Sequence, residues 1–600
     1  MKKEKLIEKK FNLFAVLAYC FKLLFKHKPL IGVFKILMHV FYAVSTAVEI
    51  FLYALLFEEL ATIFTGTPDV QKIFLYAGIY VGLRLLIRLV DFLHKVISER
   101  LDIHFQTLLR RQMIEKINTV KYINMKTADF KQASQLAHEG MQTMIPLVGF
   151  AFSFVEAIFA AVSTAIVLSA FHFSLPLILI AVSIPVVLIT FKLQKAIYSL
   201  EWWNVKEYRA HWEYSAMFTE KNRLAEVRNY NSGELFFEKW KVVNNRINKR
   251  NLKVASKYST YNFVTDLIKT VFHIGVIIWA LWLAINGWML AGQFVAAVLA
   301  IAKFKGNLGT MVEEIGWMYG RGQKFDDYIN FFKFEDETKG AVQLSGFNSE
   351  ISIKDAVFKY PKIKDKESSP EILKSLNFKI KKGERVAVVG ANGSGKTTLI
   401  GVILGLLELE SGSFTVDGIP YKDLDISSYK QNLSIVYQDF ARYHAFTVRE
   451  NVGIGNIQKL ADDDAENKAL EKGQVTDAAK EGLDRMVGKE FEGLEFSGGQ
   501  WQKLAISRSF FKDDAKIYIM DEPTSALDPI VENTVLENFM KETENKTAII
   551  ISHRLSLCKK VDRVVYMEDG KIVEDGSHSQ LIKQKGKYAE MFKNQQKWYE

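Results

Sequence analysis

The chain has 600 residues, 49% of them hydrophobic, with a formal net charge of +10, 10 prolines and two cysteines. That length exceeds what one hydrophobic core organises, so two or more domains are expected. Cys20 and Cys558 lie far apart in unrelated contexts, which excludes a disulfide framework or a cysteine-built zinc site. The positive charge belongs to the flanks of apolar runs and gives no reason to expect nucleic acid as a partner.

The N-terminus is Lys-rich, and Lys22 and Lys26 interrupt the apolar run that follows. Residues 1–29 therefore read as an interfacial amphipathic helix rather than a signal peptide. Six apolar stretches then follow, each near the ~20 residues a helix needs to cross a bilayer. They lie at 30–57, 70–93, 144–171, 175–192, 264–286 and 292–312. The third and fourth are joined by a short loop around His172 to Ser174, and the fifth and sixth by one around Gly287 to Ala291, neither with Lys or Arg. About 50 residues separate the second and third, and about 70 the fourth and fifth. Those long connections carry Arg100, Arg110, Arg111, Arg209, Arg223, Arg228, Arg246 and Arg250. The positive-inside bias puts the N-terminus, both long loops and the C-terminal half in the cytosol. Ser98 to Val120 and Asn204 to Lys257 have almost no Gly or Pro, so the helices should continue past the membrane. Residues 30–332 thus form a membrane α-helical domain, and the charged stretch 333–348 connects it to a second, α/β domain at 349–600.

Charges at mid-membrane depth are costly and face a cavity or each other. Arg84 and Arg88 are four apart on one helix face, and Asp91 is placed to pair with Arg88. Glu156 sits mid-span in the third stretch. Arg84, Arg88 and Glu156 are candidates for a polar substrate cavity, and internal ion pairing is the alternative. Trp279, Trp282 and Trp288 suit interfacial anchoring at the outer end of the fifth span.

In the second domain, Arg385 to Val389 has a buried-strand pattern that ends at Gly390, and a helix pattern runs from Thr398 to Leu407. Between them Gly390, Ala391, Asn392, Gly393, Ser394, Gly395, Lys396 and Thr397 form a phosphate-cradling P-loop. Its glycines let backbone N–H groups approach phosphates, Lys396 reaches the outer phosphates, and Thr397 suits magnesium. A second buried strand, Ile517 to Met520, ends in Asp521 and Glu522. Asp521 suits the magnesium shell, and Glu522 suits orienting and activating a water.

With Phe496-Ser497-Gly498-Gly499-Gln500 lying between them, these motifs resemble those of ATP-binding-cassette (ABC) proteins. The six-span pattern resembles a half-transporter of the exporter branch, of the bacterial peptide or lantibiotic type or the multidrug type. The resemblance implies further roles. Tyr360 would stack on adenine. Gly390, Asn392, Gly393, Ser394, Gly395, Lys396, Thr397 and Thr398 would hold ATP. Ser497, Gly498, Gly499 and Gln500 would close on the nucleotide of the opposite cassette, with Asp528 in the loop that crosses the interface. Gln438 would join Thr397 and Asp521 at Mg2+ and serve catalysis with Glu522 and the switch residue His553. Phe496 departs from the usual Leu, outside the phosphate contacts.

The implied function is ATP-driven export of a peptide or amphipathic molecule across the cytoplasmic membrane, by alternating access of a dimer. The intact Glu522 and His553 favour a homodimer over a heterodimer. A lipid or multidrug exporter is the alternative reading, followed by an ATP-gated regulator that transports nothing.

Overall fold

The computed structural model describes residues 12–66, 69–181, 184, 205–338, 340–361, 369–475, 482–523, 527–552 and 555–596. It divides into two units, one from Met1–Asn118 and Lys131–Phe334, the other from Thr119–Phe130 and Glu335–Glu600.

The first unit is helical. Leu13–His27 forms a separate helix, capped by Asn12, whose side chain accepts from the Ala15 N–H. Pro29 then opens Pro29–Ala61 in the first turn, where its missing N–H costs nothing. Among the described residues, five helices are long and apolar enough to cross a membrane: Pro29–Ala61, Val70–Thr119, Met144–Phe171, Gly233–Ile285 and Ala291–Phe331. The expected fourth span is helical over 174–181, and most of its remainder lies outside the described residues. Val70–Thr119 and Gly233–Ile285 hold 50 and 53 residues. At 1.5 Å per residue each is more than twice as long as the ~30 Å apolar layer requires. The charged ends of these helices therefore stand clear of it, as their composition demands.

Small residues let the helices approach. A Cβ on Gly292 would lie 2.4 Å from the Glu58 nitrogen, so Ala291–Phe331 meets Pro29–Ala61 almost backbone to backbone. Ala280, Ala296, Ala297 and Ala300 are fully buried in the same apolar cluster, with Ile50 and Leu168.

The second unit is layered. β1 (Glu350–Lys359), β2 (Glu371–Lys381), β4 (Ser411–Val416) and β5 (Ile419–Pro420) form a four-stranded sheet in the order β2-β1-β4-β5, antiparallel throughout. A six-stranded sheet uses β3 (Arg385–Gly390), β6 (Leu433–Val436), β9 (Ile517–Asp521), β10 (Thr547–Ile551), β11 (Arg563–Glu568) and β12 (Lys571–Gly576). Its order is β12-β11-β3-β10-β9-β6, parallel except at the β12 edge, and β7 (Phe446–Thr447) and β8 (Met486–Val487) form a separate antiparallel pair. Its central strands are buried on both faces, which is why they read as unbroken apolar runs.

The sequence expectation and the structure differ at two junctions. Leu344 and Phe347, inside the expected connection 333–348, are buried in the core of the second unit. The turn Thr119–Phe130, inside the expected membrane domain, also belongs to that unit. Tyr122 and Ile123 pack on its core, and Lys121 pairs with Glu335 at 3.1 Å and Glu408 at 3.2 Å.

Candidate functional site

β10 sits between β3 and β9, with Ile551 in register with both Val388 and Asp521. The carboxyl ends of β3 and β9 therefore open at the same edge of the sheet, where α/β sheets bind ligands. The P-loop leaves β3 there. Gly390 has φ 150°, and a Cβ on it would lie 2.1 Å from the Met567 carbonyl oxygen, so no other residue fits. Gly395, at φ 101°, precedes helix Lys396–Ile403 and supplies no side-chain cap. The first N–H groups of that helix stay open to an anion.

The polar groups around this helix are poised rather than paired. Lys396 is 7% exposed, and its Nζ donates to the carbonyls of Gly390 at 2.9 Å and Ala391 at 3.1 Å. Burial lowers its pKa, and the nearby Glu522 and Asp521 partly offset that. The Ser394 hydroxyl is buried without a hydrogen-bond partner, and so is Asp521 Oδ1. Asp521 is 4% exposed, and burial, with Glu522 beside it, pushes its pKa up to about 6. A buried carboxylate oxygen with no donor is what a hard divalent cation would satisfy, so this site fits magnesium. Thr397 is exposed and Thr398 buried in the same first turn.

Glu522 follows directly, in left-handed backbone at φ 46°, and its N–H donates to the Ile551 carbonyl at 3.0 Å. This left-handed turn takes the chain off the line of β9 at Glu522. Gln438 Nε2 donates to Glu522 Oε2 at 3.2 Å, so the structure brings these two expected catalytic groups together. Tyr360 follows β1 and is half-buried, with its hydroxyl 3.4 Å from that of Thr398. Asn392 and Gly393 are exposed at the loop crest.

The other expected residues occupy two helix starts. Ser497 caps Gly498–Phe511 in a reciprocal capping box with Gln500: Ser497 N–H donates at 2.8 Å, and Gln500 N–H at 3.3 Å. Gly498 is exposed, with open space around it. Phe496 packs edge-on against buried Trp501 at 5.6 Å, and His444 meets that ring at 5.0 Å, so the variant aromatic anchors the signature turn. Asp528 caps Pro529–Glu542, accepting from Val531 N–H at 3.0 Å. His553 lies outside the described residues, as do Ser525 and Ala526.

In the membrane unit the three candidate cavity residues separate. Arg84 pairs with Glu49, which is 4% exposed and also pairs with Lys303. Arg84 Nε donates to the Tyr80 hydroxyl at 2.9 Å. Arg88 is exposed, 3.7 Å from Asp91. Glu156 is 2.5 Å from His39 Nδ1, and His39 meets the His94 ring at 5.2 Å. The outer nitrogens, Nε2 of His39 and of His94, are buried without partners. Sequence reasoning passed over Glu49, His39 and His94. A lone acidic residue within an apolar span was the available signal for Glu49.

Comparisons with known proteins agree with this geometry. A family model described as "ABC transporter" matches residues 373–525, and one described as "ABC transporter transmembrane region" matches 35–307. The chain is 30% identical over 407 residues to the nisin transport ATP-binding protein NisT of Lactococcus lactis subsp. lactis, an alignment that covers 66% of each chain. It is 25% identical over 583 residues to the subtilin transport ATP-binding protein SpaT of Bacillus subtilis, covering 95% of this chain and 92% of that one. An ATP-dependent lipid A-core flippase of Methylobacillus flagellatus is 29% identical over 62% of this chain and 61% of its own length. The structure of a bacterial Atm1-family ABC exporter with ATP bound superposes with TM-score 0.78 at 20% identity, covering 94% of this chain and 98% of that one, which establishes the shared fold.

Proposed function

The chain belongs to the ABC transporters, and from that premise we propose that it exports a peptide or other amphipathic molecule across the cytoplasmic membrane. It is a multi-pass membrane protein with its ATP-binding domain in the cytosol, and as a half-transporter it works as a dimer. The intact carboxylate pair Asp521–Glu522 favours two identical chains, since neither site then needs a competent partner. The observation that carries the reading is the union, in one polypeptide, of several apolar helices with a P-loop whose Lys396 faces Glu522 and Asp521.

Gly390 to Thr398 cradle the phosphates through open N–H groups. Lys396 exchanges its two carbonyl partners for phosphate oxygens. Thr397, Gln438 and Asp521 would hold magnesium, which neutralises phosphate charge. Glu522 accepts a proton from the attacking water, and Gln438 keeps its carboxylate oriented. Ser497, Gly498, Gly499 and Gln500, with Asp528, would close on the nucleotide of the second cassette, and His553 would contact its own. Of the cavity candidates, Glu156 is the best placed to meet cargo, because its network has unused nitrogens. Arg84 is committed to Glu49.

The similarity to nisin and subtilin transport proteins supports a peptide cargo, and the similarity to lipid A-core flippases supports a lipid as second reading. Reconstitution into proteoliposomes separates the two. Cationic amphipathic peptides should stimulate ATP turnover and accumulate inside inverted vesicles. Stimulation by lipid alone would move the assignment to the flippase reading, and absence of any vectorial transport would leave only a regulator.

A further inference from the structure

The strongest unassigned contact lies at the base end of the nucleotide site. Lys126 belongs to the turn Thr119–Phe130, which is part of the cassette unit although the chain reaches it between two long membrane-domain helices. Its Nζ lies 5.3 Å from the centroid of the Tyr360 ring and 5.5 Å from that of Tyr122. Both distances are within cation–π range. Among the described residues Lys126 makes no ion pair, whereas Lys121 in the same turn is held by Glu335 and Glu408. Lys126 is exposed, so aromatic faces are what hold it.

Tyr360 has little ring surface to spare. It rests on the core cluster of the cassette, its ring meets Phe358 edge-on at 5.0 Å, and its hydroxyl reaches Thr398. Lys126 lies over a face of this ring, and a base stacked on that face meets the ammonium. A stacked base places its ring centroid within ~4.5–7 Å of the tyrosine ring, the same shell that the ammonium occupies. The two cannot share it. Tyr122 already holds the ammonium from a second side, so displacement from Tyr360 forfeits one cation–π contact.

We propose that Lys126 is a nucleotide-affinity determinant: it occupies the Tyr360 ring in the nucleotide-free protein and is displaced by the adenine base. The contact weakens ATP and ADP binding by the strength of one exposed cation–π interaction. It also makes the turn Thr119–Phe130 respond to the base rather than to the phosphates. This rests on Tyr360 as the base-stacking residue, and the test separates the two.

The test is equilibrium binding to the full chain in lipid nanodiscs, with ATP, ADP and inorganic tripolyphosphate as probes. Lys126→Met, which keeps the stem and removes the charge, should tighten ATP and ADP about two- to five-fold, the range expected for an exposed cation–π contact. Tripolyphosphate binding should not change, and Lys126→Arg should resemble the parent. On a Tyr360→Leu background, Lys126→Met should have no effect. Unchanged or weaker ATP binding in Lys126→Met overturns the inference. An equal gain for tripolyphosphate also overturns it, because that would be a general charge effect. If Tyr360→Leu alone leaves ATP affinity unaltered, the base-stacking assignment itself fails.

Discussion

Two groups of buried charge in this molecule follow opposite rules. At the nucleotide site, Asp521 Oδ1 and the Ser394 hydroxyl are buried with no partner, and Lys396 is parked on backbone carbonyls. In the membrane unit, Glu49 is equally buried but is met by Arg84, Lys303 and the Tyr80 hydroxyl. Leaving a buried polar atom unsatisfied costs ~1–3 kcal/mol, and at the nucleotide site a ligand would supply the missing bonds. A closed network has no vacancy for cargo. The contrast assigns chemistry to the first site and structure to the second.

The largest expected effect tests the first half of this contrast. Glu522→Gln should lower ATP turnover about 10²–10⁴-fold, the usual worth of a positioned general base, while ATP binding is retained. Gln keeps the shape of the side chain and removes the charge and the proton acceptor. Normal turnover in this variant would mean that Glu522 only ends a strand. Single-turnover hydrolysis with a filter-binding control reads both quantities.

Next comes the closed network. Removing one partner of a buried ion pair destabilises by ~3–5 kcal/mol because the remaining charges are stranded. Glu49→Gln should therefore lower the unfolding midpoint in detergent strongly, since it strands both Arg84 and Lys303. Arg84→Met should cost less, because the Arg84 side chain is 49% exposed and Lys303 still answers Glu49. Equal effects, or a transport defect in Arg84→Met without loss of stability, would return Arg84 to the cargo path.

A smaller, pH-dependent effect comes from a third buried carboxylate. Glu466 is fully buried in the cassette, with one oxygen 3.4 Å from Arg449 Nη1 and the other without a partner. Burial pushes its pKa up to about 7, with Asp463, Asp484 and Asp462 adding to the rise and Arg449 opposing it. The folded state then holds a proton that the unfolded state releases near pH 4.5. Stability falls as pH rises through about 4.5 to 7 and levels off above. Glu466→Gln should be neutral near pH 4 and stabilising by ~2–3 kcal/mol at pH 8. A stabilisation independent of pH would show that folding leaves the Glu466 pKa unshifted, Arg449 having offset the effect of burial. Thermal unfolding of the full chain at the two pH values reads the difference.

The same contrast explains what was legible in the sequence. The P-loop and the Asp521–Glu522 pair are local: a strand, a turn with required glycines and a helix lie within about 20 residues of chain, and the chemistry fixes the spacing. Their convergence needed only the parallel register of β3, β10 and β9, which unbroken apolar strands already imply. The membrane charges are different. Glu49, Arg84 and Lys303 come from three helices and are far apart in sequence, and helical periodicity gives the face of each but not which faces meet. Glu156 found His39 across the same gap. The turn Thr119–Phe130 reads as ordinary helix-connecting sequence, so neither its docking on the cassette core nor the seat of Lys126 on Tyr360 left a local sign. Phe496 looked like a departure from the family and proved to be packed against Trp501.

The smallest effect is expected at Arg88, and its smallness is informative. Its side chain is 83% exposed, and its one neighbour of opposite charge among the described residues is Asp91, 3.7 Å away and one helical turn on. Such pairs contribute ~0–1 kcal/mol, so Arg88→Ala should leave the unfolding midpoint within the error of the measurement. Its exposure is that of a single chain, however, and a dimer of identical chains would give it a second environment. If Arg88 merely faces lipid headgroups or solvent, peptide-stimulated turnover should also be unchanged. If stability holds but stimulation by an acidic peptide is lost while a cationic one still stimulates, Arg88 lines the cargo path. Exposure in one chain would then mark a functional charge in the pair, and pairing within one chain would cease to separate structural charges from functional ones.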